Sequence, residues 1–237
     1  MRKVFVRTQN VKNFIAMMNK LLNRNRGLPG MALVYGDPGL GKTQTILWWA
    51  AKNDCAFIRS KNLMTGRWLL EELVEELGEV PYYWTADLFK QCVRQLTENP
   101  RVIIVDEIDY LLGDNKIVET LRDIHDKTGV PVVLVGMGYA NKKIVRYRHL
   151  YDRLFEILKF EPFSLEDVKT IIQTLCEIEL TECAQEYIFN QSNRFRQIVR
   201  LITKAESIAE TNSINILDGI TFQELMKDDP RENIEDC

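Results

Sequence analysis

Histidine is nearly absent: His125 and His149 are the only two in 237 residues. The five cysteines (Cys55, Cys92, Cys176, Cys183 and Cys237) contain no C-x-x-C pair. Together these groups cannot make a zinc set at workable spacing, and an odd number of scattered thiols reads as reduced cysteine, not a disulfide framework. Long apolar runs are missing as well. The stretches 45–51, 102–105 and 132–135 fall far short of the ~20 residues of a membrane span. The opening MRKVFVR is basic but has no apolar region behind it, so no secretory leader is expected. The plain expectation is a cytoplasmic protein with no membrane association. Finally, no charge of one sign dominates. Thirty-one basic against 34 acidic residues leave −3, which excludes a polycation that holds nucleic acid by bulk attraction.

What is present is an ordinary globular composition, 46% hydrophobic and 27% charged, with an ordered alternation along the chain. Short apolar strands are predicted at 31–35, 55–59, 102–105, 132–135 and 155–160. Amphipathic helices are predicted at 44–52, 66–77, 86–97 and 116–127. Uninterrupted apolar strands alternating with helices mean a parallel α/β sheet covered on both faces. After Pro162 the pattern changes. Ser164 reads as a helix N-cap with acids in the first turn, and only helical periodicity follows, at 168–175, 183–190 and 196–209. The expected division is an α/β nucleotide-binding core at 1–161, a small helical lid at 162–226 and an acidic tail at 227–237.

Gly36-Asp37-Pro38-Gly39-Leu40-Gly41-Lys42-Thr43 fits G-x-x-x-x-G-K-[ST], directly after a predicted strand and ahead of a helix that opens at Gln44. Glycines let backbone N–H groups turn inward around phosphate oxygens, and the helix start adds the positive end of its dipole. Lys42 is placed to bridge the β- and γ-phosphates of a nucleoside triphosphate and Thr43 to ligate magnesium. Downstream, the strand 102–105 runs into Asp106-Glu107-Ile108-Asp109. Asp106 is the expected second magnesium element, and Glu107 the carboxylate that polarises water for attack on the γ-phosphate. This second acid favours hydrolysis over transfer to an acceptor.

The phosphate loop, the Asp106-Glu107 pair and the helical region after the sheet together resemble the AAA+ ATPases, and among them the target-selection ATPases of transposons and transposing phages. Phe5–Lys12, Asp106–Leu111 and Val133–Gly136 carry that likeness. The resemblance implies an ATP hydrolase that uses Mg2+, in a bacterial or phage setting. It implies that Val6 and Thr8 lie near the adenine, that Arg153 reaches the nucleotide of a neighbouring subunit, and that Arg196 acts from the lid helix. It further implies a head-to-tail homo-oligomer or filament on duplex DNA and a transposase as partner. One position departs from the pattern: the strand 132–135 leads into Met137, where a polar sensor is expected, so either Tyr139 or Asn141 substitutes or hydrolysis is slow. No counterpart of the phage type's N-terminal DNA-binding domain lies ahead of Met1, so DNA contact is expected from the core.

Charge is sorted along the chain. The windows 1–36, 55–70, 139–151 and 191–205 hold 18 of the 31 basic residues and none of the acids. Two of them leave the sheet as loops, where the resembling ATPases contact phosphates without reading sequence. Lys61, Thr65, Arg67, Lys142, Lys143 and Arg146 are therefore the candidate DNA contacts. Trp48-Trp49 reads as packing; Tyr82-Tyr83-Trp84, after Pro81, is a candidate partner contact. Two other functions remain open: a helicase-loader or origin-recognition ATPase, and a nucleotide-gated protein-binding switch with no DNA role.

Overall fold

The uninterrupted apolar runs become the middle of one parallel sheet. The structure, a computed structural model, describes residues 1–25 and 27–227, with 225–227 described by backbone alone. The acidic tail expected at 227–237 therefore lies, beyond the backbone of Lys227, outside the described residues. Strands β1 (Met31–Gly36), β2 (Cys55–Arg59), β3 (Val102–Asp106), β4 (Val132–Gly136) and β5 (Leu154–Phe160) pair in the order β2-β3-β4-β1-β5, every pair parallel. All five strands thus end at one edge, where an open α/β sheet places its ligands. Register aligns Arg59 with Asp106, Tyr35 with Gly136 and Gly36 with Phe160.

Because strand side chains alternate, each run feeds two cores. Met31, Leu33, Ile103, Val105, Val132 and Leu134 point to one face. There they are covered by α3 (Gly66–Glu76), α4 (Thr85–Glu98), α5 (Asn115–Thr128) and the short helices α6 (Ala140–Ile144) and α7 (Arg148–Tyr151). Ala32, Val34, Ile104, Val133 and Val135 point to the other face. It is covered by α1 (Gln9–Leu22) and α2 (Lys42–Ala50), where Phe14 meets Trp49 edge to face at 6.2 Å. At about 1.5–3 kcal/mol for each fully buried large apolar side chain, these two layers supply most of the sheet's stabilisation.

Contacts divide the described chain into Asn13–Phe160 and a second unit joining Met1–Lys12 to the residues from Glu161 onward. The first twelve residues are thus counted with the helices, although the sequence pattern set them in the 1–161 core. The Met1 amine pairs with Glu177 and Glu206 at 2.7 and 3.0 Å, Arg2 N–H donates to Leu175 O at 2.8 Å, and Val6 enters the helical core. This unit holds α8 (Leu165–Leu175), α9 (Glu182–Gln191), α10 (Phe195–Asn212) and α11 (Gly219–Lys227). Ser164 and Asp167 form the full capping box of α8. Where helical periodicity alone was expected, β6 (Glu179–Leu180) and β7 (Ile216–Leu217) also pair in parallel. Two residues per strand are too few to leave a period in the sequence.

Candidate nucleotide site and basic surface

The phosphate loop leaves β1 at its C-terminal end and closes into α2, which begins at Lys42 rather than Gln44. Gly41 takes φ 82°, a left-handed turn that a side chain resists. At Gly36 the constraint is space: a Cβ would stand 2.6 Å from the Phe160 carbonyl oxygen on β5. Leu40 is buried and anchors the loop, whereas Asp37, Pro38 and Gln44 are exposed and Gly39 half-buried. Lys42 Nζ donates to Gly36 O at 2.7 Å and Asp37 O at 2.8 Å. Burial pulls its ammonium below the usual lysine range, with Asp106, Asp109 and Asp37 opposing. A triphosphate drawn into the loop would answer that cost with charge of the right sign.

Asp106 ends β3, 2% exposed. Its Oδ2 accepts the Thr43 hydroxyl at 2.9 Å and its Oδ1 accepts the Glu107 N–H at 2.9 Å. Even so, burial pushes its carboxyl above the ordinary value, with the two hydrogen bonds opposing. A buried carboxylate beside a hydroxyl, and under-compensated in charge, suits a hard cation with oxygen ligands. Thr43 and Asp106 are the residues here that could hold one. Among the described residues no group of three or more His, Cys, Asp and Glu could hold a metal ion by itself.

Glu107 follows at φ 55°, a non-glycine residue in the left-handed region at the head of a 3-10 turn, Ile108–Tyr110. Such strain persists only where surroundings impose it, and it concentrates at functional sites. It turns the side chain toward β2, where Arg59 Nη2 holds Glu107 Oε1 at 2.5 Å. Asp109 Oδ2 accepts the Met137 N–H at 2.6 Å, tying the turn after β3 to the end of β4, while its buried Oδ1 has no partner among the described residues. The Met137 side chain is 37% exposed, and Tyr139 nearby is covered by Lys143 at 4.7 Å from its ring.

Thr43, Asp106 and Glu107 are therefore brought together at the edge where Lys42 lies. Arg153 is not part of this group. It precedes β5 and its carbonyl accepts the Met31 N–H, so it stands at the opposite edge of the sheet. There Asp126 grips its guanidinium with two bonds, at 2.8 and 3.1 Å. Val6, Thr8 and Arg196 belong to the helical unit: Val6 in its core, Thr8 buried, Arg196 exposed on the first turn of α10.

The basic candidates separate into two kinds. Lys61 is paired with Glu72 and stacked near Trp68, Arg67 is paired with Glu71 at 2.7 Å, and the Thr65 hydroxyl caps α3. Lys142, Lys143 and Arg146 have no ion pair among the described residues. Arg59, Asp109 and Asp126 are partners that the sequence pattern does not single out. A signal existed for Asp109, which completes the D-E-x-D run. Arg59 and Asp126 become neighbours of the site residues only through the sheet.

Comparison with known proteins agrees with this layout. A curated "Potential ATP-binding protein" of Staphylococcus aureus is 28% identical over 124 residues, covering 48% of this chain and 45% of its own. The replication factor C large subunit of Thermofilum pendens is 24% identical over 183 residues, covering 75% and 40% respectively. The chain thus spans less than half the length of these curated relatives. Among solved structures, the Aeropyrum pernix ORC2 protein in ADPNP–ADP complexes superposes with a TM-score of 0.71 at 15% identity, covering 96% of this chain and 70% of that one. The ORC1 protein of the same organism, in complex with DNA, gives 0.64 at 16% identity, with 98% and 67% covered. At such identity the likeness is one of fold: a parallel sheet with flanking helices of the AAA+ P-loop type. The family model described as "AAA domain" matches residues 25–144, just over half of the sequence, with the phosphate loop and Asp106-Glu107 inside it. The chain is a member of the AAA-domain family of P-loop ATPases.

Proposed function

We propose that the chain is an ATP hydrolase whose nucleotide state gates its hold on duplex DNA, as an ATPase of the origin-recognition and replication type. The observation that carries the nucleotide half is Asp106, buried and bonded on both oxygens, to Thr43 and to the Glu107 N–H, at the edge where Lys42 waits. Lys42 and the backbone N–H groups of Gly36–Gln44, Pro38 having none, hold the phosphates. Thr43 and Asp106 hold magnesium, which when bound offsets phosphate charge. Glu107, once free of Arg59, takes the proton of the attacking water on its carboxylate. Arg153, at the far edge of its own sheet, serves the nucleotide of a neighbouring copy in a head-to-tail assembly. The DNA half is supported by Lys142, Lys143 and Arg146, which have no ion pair among the described residues, by the fold's likeness to an ORC1 protein in complex with DNA, and by the replication factor C relatives.

A second reading, target selection in transposition with a transposase as partner, is favoured by one observation: the likeness carried by Phe5–Lys12, Asp106–Leu111 and Val133–Gly136. Both readings share the gate, and the partner separates them. The test is duplex-DNA retention, measured with and without ATP, for the wild-type protein and for Lys42→Ala. ATP-dependent retention that the substitution abolishes supports the gate; retention indifferent to both contradicts it. A pull-down that yields helicase machinery favours the replication reading, and one that yields transposase the other. A protein that binds its partner under ATP but never DNA is a protein-binding switch instead.

A further inference from the structure

Two elements that start at the nucleotide site end in the same small cleft. From Asp106 and Glu107 the chain passes through the 3-10 turn to Leu112 and the start of α5 at Asn115. From β4 it passes through Met137 into α6 and on to Tyr147. Between these two paths lies a cavity of about 340 Å³, lined by Leu112, Asn115, Lys143, Arg146 and Tyr147. Its chemistry is one-sided. The Tyr147 hydroxyl is spent on Leu112 O at 2.6 Å. The Asn115 amide, the Lys143 ammonium and the Arg146 guanidinium have no hydrogen-bond or ion-pair partner among the described residues, though Lys143 rests on the Tyr139 ring. The nearest acid in sequence, Asp114, caps α5 through the Lys116 N–H at 2.8 Å. Among the described residues, three donors without a hydrogen-bond or ion-pair partner, two of them cationic, line this space. Burial, and then Asp114 nearby, raises the Tyr147 phenol, but Asp114 is not in the lining.

We infer that this cleft is a seat for a phosphate ester, occupied by the backbone of duplex DNA, and that Lys61 and Arg67 are not the principal phosphate contacts. The inference rests on the DNA reading above and narrows it. Lys61 and Arg67 would have to give up Glu72 and Glu71 before taking a phosphate, whereas Lys143 and Arg146 have no ion pair to break among the described residues, Lys143 leaving only the Tyr139 ring. Released counterions supply the affinity, so the number of neutralised phosphates is read directly in the salt dependence.

The test is fluorescence anisotropy of a labelled duplex with the full chain and ATP, titrated across salt concentrations. K143A/R146A should lower the slope of log affinity against log salt by about two, one for each cation taken off a phosphate. N115A should weaken binding with the slope intact, because the deleted donor is neutral. K143R/R146K should keep the slope, which separates charge from folding, and K61A/R67A should keep it as well. A slope unchanged in K143A/R146A, or flattened in K61A/R67A, overturns the assignment while leaving DNA binding itself standing. Should the wild-type protein fail to bind duplex, the DNA reading falls. Calorimetry with inorganic phosphate in the Lys42→Ala background, which disables the phosphate loop, then decides the cleft. Binding that K143A/R146A abolishes makes it a seat for free phosphate, and no binding overturns the seat as well.

Discussion

Arg59 holds the one carboxylate proposed to activate water, and removing its charge is predicted to speed hydrolysis. The pair is short, 2.5 Å, but its side chains are 58% and 29% exposed. The bond to Glu107 is also the first cause of the raised guanidinium affinity for its proton. An exposed pair of this kind is worth about 0.2–1 kcal/mol, so freeing Glu107 should raise its availability by no more than about five-fold. Arg59→Gln is therefore expected to raise basal kcat by up to about five-fold, with little change in Tm. The double variant R59Q/E107Q should be as inactive as E107Q alone. Steady-state phosphate release at saturating ATP, run on all four proteins, measures both effects. A kcat that falls about ten-fold in Arg59→Gln, a barrier increase of about 1.4 kcal/mol, would mean instead that Arg59 assists catalysis directly. An acceleration that persists in the Glu107→Gln background would mean that Arg59 does not act through Glu107.

Three further outcomes follow from the site and core. Gly36→Ala drives a Cβ to 2.6 Å from the Phe160 carbonyl, which cannot retreat without loosening the β1–β5 pairing; chemical denaturation should show a loss of about 1–3 kcal/mol, with nucleotide affinity abolished too. Burial raises the Asp106 carboxyl, so between the ordinary carboxylate value and the raised one the folded chain binds more protons than the unfolded one; stability falls as pH rises through that window and the full cost stands above it. Asp106→Asn should therefore melt higher than wild type at neutral pH in EDTA, the gap closing as pH falls from the raised value to the ordinary one; a variant that melts lower at neutral pH contradicts this. Burial pushes the Cys55 thiol up to about 11 and Cys92 up to about 12, whereas Cys183 is exposed. Iodoacetamide should thus label Cys183 in the native protein and reach Cys55 and Cys92 only after unfolding, as peptide mass spectrometry would read.

The parallel sheet was legible because its strands are buried on both faces, which leaves unbroken apolar runs such as 102–105. The phosphate loop and Asp106-Glu107 were legible because they are contiguous. Helix α1 carries an equally clear signal in Phe14, Met17, Met18 and Leu21 at helical spacing, but the basic charge of the stretch 1–36 overshadows it. Two kinds of contact were out of reach. Arg59 meets Glu107, and Arg153 meets Asp126, because strand order and crossover geometry bring together residues 48 and 27 apart. The acid-free windows misled in a more instructive way. The window 55–70 stops one residue before Glu71, and helical spacing returns Glu71 to Arg67, while Glu72 reaches back to Lys61. Absence of acids along the chain does not mean absence of acids in space. Of the two loop windows, 142–146 is the one whose candidate cations stay unpaired among the described residues.

Whether Lys42, Thr43, Asp106 and Glu107 form one ATP-hydrolysing centre is decided by phosphate release from Glu107→Gln, with ATP binding followed in the same sample. The variant is predicted to bind ATP as the wild-type protein does and to release phosphate at least about a hundred-fold more slowly, of the order expected when a general base is removed. Release at the wild-type rate would mean that Glu107 does not activate the attacking water.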